Sequence, residues 1–163
     1  MEHIFAPWRR DFIEKKDREE ECIFCKRREL DSSPESLVIF KSKLGFILLN
    51  KYPYNNGHLM VAPYAHKGDF SELTAEELTD LSECLQLSIN VLKKAYNPQG
   101  FNLGMNLGSV AGAGVADHLH WHIVPRWGGD TNFMPVIGQT KVLHEMLEDT
   151  FGRLKPLFDE IKK

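Results

Sequence analysis

The sequence predicts an α+β fold: several short strands, one long helix packed on them, and a helix near the C-terminus. Three observations carry this. Apolar runs at 37–41, 45–50 and 58–63 are short and bounded by turn formers, as strands are. The stretch 71–97 repeats apolar residues at spacings of three and four, as an amphipathic helix does. The stretch Asp117–Arg126 alternates instead, placing His118, His120 and His122 on one face of a strand and Leu119, Trp121 and Ile123 on the other. At 163 residues one domain is expected, spanning 1–163.

Composition sets the class. A hydrophobic content of 42% with 26% charged residues is that of a soluble globular chain. A net charge of −3 gives no footprint for sequence-independent nucleic-acid binding, and no apolar run reaches membrane-spanning length. The start, Met-Glu-His, lacks the hydrophobic core of a secretory signal. Three cysteines make an odd set with no disulfide lattice. Together these predict a cytoplasmic protein without a nucleic-acid or membrane partner.

In chain order, residues 1–21 form a charged arm with Ile4, Phe5 and Trp8 as apolar anchors. Cys22-Ile23-Phe24-Cys25-Lys26 follows. A Cys-x2-Cys pair across a tight turn can hold a metal as a knuckle over 22–25, though it supplies half a tetrahedral site. A redox pair and plain buried thiols are the alternatives, the redox reading being weakened because no helix is expected after the pair. Strands 37–41 and 45–50 are joined by a turn holding Ser42 and Lys43, and Asn50 ends the second at an edge where a ligand could sit. A loop of turn formers, 51–57, leads to the third strand, 58–63, and His66 lies just beyond it.

Thr74-x-x-Glu77 is a capping box, and Leu78, Leu81, Leu85, Ile89, Leu92 and Tyr96 form the inward stripe of the long helix. Cys84 beside it reads as packing. Asn97-Pro98-Gln99-Gly100 stops the helix. A strand over 101–107 runs into a small-residue loop, 108–115, whose backbone N–H groups can approach an anion closely. The histidine strand comes next, ended by Pro125. A last helix is expected over 139–161, with Val142, Leu143, Met146, Leu147, Leu154 and Leu157 inward and a break or kink at Gly152 and Pro156.

A row of imidazoles admits three readings: solvated polar residues, metal ligands, or nucleophilic catalysis at phosphorus. In the last, a neutral ring attacks and a protonated ring leaves. The residues themselves leave these open.

His118-Leu-His-Trp-His-Ile-Val resembles the histidine-triad signature, and the resemblance extends from about Cys22 to the last helix. Asn50-Lys-Tyr-Pro-Tyr-Asn-Asn-Gly-His-Leu-Met-Val, Gly100-Phe-Asn-Leu-Gly-Met-Asn-Leu-Gly, His122-Ile-Val-Pro-Arg-Trp-Gly-Gly-Asp and Ile137-Gly-Gln-Thr-Lys-Val resemble one branch in particular, the dinucleoside tetraphosphate phosphorylases. The resemblance implies an antiparallel sheet, a homodimer, and nucleotidyl transfer from a nucleotide substrate to inorganic phosphate, or to water in a hydrolase. It makes His120 the nucleophile, His122 the residue that binds phosphate and assists the leaving oxygen, His118 a supporting histidine and His58 a partner behind the triad. Asn50 would hold the ribose and Asn106 the phosphate, with the backbone of Gly112, Ala113 and Gly114 as cradle.

Many members carry Gln-Ser where this chain has Gly114-Val115, so Ser109 or Lys141 would have to replace those phosphate contacts. The departure also keeps a non-catalytic nucleotide-binding zinc protein as a rival. Finally, Cys22, Cys25, His66 and His118 match the zinc set of metal-containing relatives. That makes zinc structural and takes His118 out of free catalysis.

Overall fold

The computed structural model describes residues 22–130, 137 and 141–162. The N-terminal arm, 1–21, and residues 138–140 of the 137–142 motif lie outside them. Helix α1 (Ile23–Arg28) precedes strands β1 (Val38–Lys41), β2 (Gly45–Leu49) and β3 (Leu59–Pro63). Helix α2 (Ala75–Tyr96), β4 (Gly100–Met105), β5 (Trp121–Arg126) and helix α3 (Leu147–Asp159) follow. The strands form one antiparallel sheet in the order β1-β2-β3-β5-β4.

Alternation splits the sheet into two faces. Ile39, Ile47, Leu49, Leu59, Val61 and Ile123 point to one, where α2 and α3 cover them with Leu81, Leu92, Leu154 and Phe158. Val38, Phe46, Leu48, Met60 and Ala62 point to the other, under Phe24 of α1. Leu119 and Ile123 are buried in the helix-covered core, with Trp121 half-buried against it, so the apolar half of the alternating motif lies where the sequence places it.

Helix α2 starts at its capping box: Thr74 Oγ1 accepts from Glu77 N, and Glu77 Oε2 accepts from Thr74 N. It ends at Asn97, left-handed at φ 45°, before Pro98. The start is thus Ala75, and Phe70–Glu72 is a separate 3-10 turn. Leu78 is exposed rather than inward. The buried stripe runs Leu81, Cys84, Ser88, Val91 and Leu92. One turn before Cys84 on that helix, Asp80 accepts from Ser42 Oγ (2.6 Å) and Leu44 N (3.1 Å), tying the β1–β2 turn down.

Three expectations need correction. The last helix begins at Leu147, not 139, and 141–146 is not helical. Glu145 explains this: its carboxylate takes Tyr96 Oη, Thr150 Oγ1 and Arg153 Nε, which holds the chain in an extended approach and leaves Val142, Leu143 and Met146 exposed. α3 then runs unbroken through Pro156; the carbonyl that loses its donor is that of Gly152, an exposed residue, so water can replace the missing N–H. Finally, Pro125 does not end β5. It pairs with Phe101 inside the ladder, beyond the last β3 partner at Ile123, where one side of β5 needs no N–H. No helix among the described residues is long and apolar enough to cross a membrane.

Candidate functional site

The three histidines occupy the face under α1, but only His122 belongs to β5; His118 and His120 lie on the approach to it. This approach is pinned by Leu119 N donating to Lys67 O (2.7 Å) and by Gly68, where an added Cβ would meet Ala116 O at 3.0 Å. The segment after β3 therefore lies against the segment before β5, which brings His66 to His118. None of the three rings is solvated freely: His118 is fully buried, His120 is 5% exposed and His122 is half-buried.

Each ring is fixed by what one of its nitrogens does. His118 Nε2 donates to Pro63 O (2.9 Å), so Nδ1 carries the lone pair. That Nδ1 lies 3.3 Å from Cys22 Sγ, 3.6 Å from Cys25 Sγ and 3.3 Å from His66 Nδ1, and Cys25 Sγ lies 3.3 Å from His66 Nδ1. A tetrahedral ion with bonds of about 2.0–2.3 Å needs ligand–ligand edges of roughly 3.3–3.8 Å. These contacts match those edges, and all four donor atoms lie within 4.8 Å of one another. Burial pushes the His118 pKa down to about 4, which keeps the ring neutral as a ligand must be.

A short helix does follow the cysteine pair, against expectation: Cys22 is the N-cap of α1 and Cys25 lies in its first turn. This does not revive a redox reading. Burial, and then Cys22 beside it, raise the Cys25 thiol above its ordinary range, the opposite of an activated thiolate.

His120 is set differently. Its Nδ1 donates to His118 O (3.0 Å), and among the described residues no group hydrogen-bonds its Nε2. That nitrogen holds the lone pair. Burial lowers the pKa below the usual imidazole value, favouring the neutral ring at pH 7. Phe24 packs on both His118 and His120, with ring centroids 5.1 and 4.7 Å away.

His122 is the converse case. Tyr54 N donates to His58 Nδ1 (3.1 Å), which obliges neutral His58 to carry its proton on Nε2. Nε2 lies 3.0 Å from His122 Nδ1 and donates to it, so neutral His122 keeps its proton on Nε2. The rings of His120 and His122 meet edge to face at 5.0 Å. A lone pair and a proton donor therefore stand side by side, as nucleophilic displacement with acid-assisted departure needs.

Around this pair, Asn50 follows Leu49 and donates its backbone N–H to His58 O (3.1 Å). Its Oδ1 accepts from Tyr52 N in an Asx turn. Asn106 follows β4 and donates Nδ2 to Gly112 O (3.2 Å). Ser109, Gly112 and Gly114 are exposed and Ala113 is half-buried, in a loop with a 3-10 turn at Ser109–Ala111 and positive φ at Gly108 (78°) and Gly112 (90°), conformations suited to glycine. Lys141 lies near Arg126 and Asp130. Sequence reasoning missed Phe24, Tyr54 and Pro63. Phe24 was signalled by lying between the cysteines. The other two act through backbone atoms, for which residue type carries little signal.

Comparisons with known proteins point to one family. A family model described as the HIT domain matches residues 32–129. A Mycobacterium tuberculosis protein named AP-4-A phosphorylase is 49% identical over 119 residues, covering 73% of this chain; the chain spans only 61% of that relative's length. A hypothetical histidine triad nucleotide-binding protein from Sulfolobus tokodaii superposes with a TM-score of 0.67 at 28% identity, over 86% of this chain and 94% of the other. A Zn-bound histidine triad family protein from Mycobacterium smegmatis gives 0.68 at 20% identity, over 87% and 96%.

Proposed function

The chain belongs to the HIT domain family, and from that premise we propose that it is a nucleotidyltransferase that cleaves dinucleoside polyphosphates, diadenosine tetraphosphate and phosphate giving ATP and ADP. The observation that carries this is the pairing of an unprotonated Nε2 on His120 with a protonated Nε2 on neighbouring His122. His120 Nε2 attacks the α-phosphorus and forms an N–P bond. The bridging P–O bond breaks, and the departing oxygen takes the proton from His122 Nε2, releasing ATP. The charge left on the nucleotidyl-imidazolium ring is met by His118 O through the Nδ1–H bond. An oxygen of inorganic phosphate then attacks the same phosphorus, gives its proton back to His122 and leaves as ADP, freeing His120.

His58 holds the His122 ring in its tautomer. Asn50, beside His58 at the sheet edge, takes the ribose hydroxyls. Asn106 and the backbone of Gly112, Ala113 and Gly114 take the phosphate, with Ser109 in place of the absent Gln-Ser hydroxyl. Cys22, Cys25, His66 and His118 hold a structural zinc, which supplies charge and cross-linking but, with four protein ligands, no reactive water. The protein works as a cytoplasmic homodimer; β4, an edge strand with exposed Leu103, supports the pairing.

The name of the mycobacterial relative favours phosphate over water as acceptor. The test is diadenosine tetraphosphate with and without phosphate: ADP and ATP only when phosphate is present support the reading. AMP released at the same rate in both makes the protein a hydrolase. Nucleotide binding with no turnover and no trapped adduct on His120 removes the enzyme reading altogether.

A further inference from the structure

The face of β4 shared with His122 carries a row of which the chemistry above uses only Asn106. Gly100, Asn102, Gly104 and Asn106 leave the chain on one side at period two. The ladder sets Gly104 opposite His122, Asn102 opposite Val124 and Gly100 opposite Arg126. Phe24 of α1 packs over the β1–β3 half of this face and on the His118 and His120 rings. Over the β4 half, nothing among the described residues lies within 4 Å of a Cβ built on Gly104 or Gly100, and Asn102 is exposed. The result is a shallow trough that starts at the proton-bearing histidine. From Gly104 to Gly100 it runs four residues, about 14 Å at ~3.4 Å per residue, the scale of several linked phosphates rather than one.

Its far end is cationic. Arg126 Nε and Nη2 donate to Asp130 (2.6 and 3.0 Å), and Nη1 donates to Asn102 Oδ1 (2.7 Å). With Oδ1 engaged, the Asn102 amide turns its two N–H donors away from the guanidinium. Lys141, half-buried, sits close enough to Asp130 and Arg126 to feel both charges. Two cations against one carboxylate leave a surplus positive charge there.

We infer that this trough receives the distal phosphates of a polyphosphate chain whose first phosphorus faces His120, with Asn102 and Lys141 setting the preferred chain length. The inference rests on the nucleotidyl-transfer reading and deepens it. The experiment measures kcat/KM for diadenosine tri-, tetra- and pentaphosphate with the full chain, its Lys141→Met variant and its Lys141→Arg variant.

Loss of one half-buried, charge-assisted contact is expected to lower the tetraphosphate-to-triphosphate ratio about tenfold in Lys141→Met, through KM, with Lys141→Arg restoring it. Gly104→Leu, which fills open space on a strand of ordinary φ, should shift the ratio the same way. A ratio unchanged in Lys141→Met, or an equal loss at every chain length, overturns the trough. Failure of the unaltered chain to turn over any of the three overturns nucleotidyl transfer itself, and is told apart by that.

Discussion

His118 and His122 stand at the two ends of one row and share every feature a sequence displays, yet their rings are wired oppositely. His118 gives its Nε2 proton to Pro63 O and turns a lone pair toward two thiols and His66. His122 accepts a hydrogen bond from His58 at Nδ1 and so carries its own proton on Nε2. Between them, His120 combines the two, donating Nδ1–H to His118 O and keeping Nε2 as the lone-pair nitrogen. Identity of the side chain decides nothing here. The hydrogen bond at the other ring nitrogen decides whether an imidazole offers a lone pair or a proton, and so which of the proposed roles it can take.

The contrast can be broken from its centre outward. His120→Ala should lower turnover more than about a thousandfold while leaving the fold and metal content intact, since the whole covalent route is lost. A metal assay alongside product analysis checks it, and residual turnover within tenfold of wild type would assign the nucleophile elsewhere. At the His118 end, chelation or Cys25→Ser should remove the ion and lower the melting temperature by roughly 10 °C, each kcal/mol being worth about 2–4 °C at this size. A melting curve indifferent to a strong chelator would mean the four donors stay empty.

At the other end, His58→Phe should keep the stacking on Tyr54 but delete the hydrogen bond to His122 Nδ1, costing about 10–100-fold in kcat, by analogy with loss of the hydrogen-bond partner of a metal-bound histidine. Its metal content should be unchanged. If metal is lost instead, the two ends are not independent.

The smallest effects lie in the clamp behind His66. Lys67, next in the chain, donates to Glu77 (2.7 Å) while its carbonyl holds Leu119. Thr74→Ala, which removes one half of the capping box, should cost ~1 kcal/mol of stability without touching turnover. The bond from Lys67, then that from Thr74 N, holds the Glu77 carboxyl below its ordinary pKa. Its contribution is therefore present above the ordinary carboxylate range and is lost as pH falls through the depressed folded value. Denaturant melts of wild type and Glu77→Gln should differ at pH 7 and converge toward pH 3; a gap that widens on acidification would reverse the sign.

Much of this was legible in the chain. The alternation of His with Leu, Trp and Ile named both faces, and Thr74-x-x-Glu77 and Asn97-Pro98 marked both ends of α2, because these are local rules. The four donors at 22, 25, 66 and 118 were legible only through a likeness, since nothing local says that the chain after β3 lies on the chain before β5. The start of α3 was misread because 141–146 has helical spacing; Glu145 engaging Tyr96 and Arg153 is a tertiary contact that overrides it. Which nitrogen of each histidine holds a proton could not be read at all, because the partners, His58 apart, are main-chain atoms.

That last point has a consequence for how this centre can change. Pro63 O, His118 O and Tyr54 N are present whatever residues occupy those positions. Mutation can swap the side chains at 54 and 63 for many others and the proton pattern persists, unless proline arrives at 54 and deletes the amide hydrogen. Apart from the His58 side chain, the most delicate property of the centre is thus written in its least mutable atoms. Drift in sequence should alter what the pocket accepts long before it alters which nitrogen attacks.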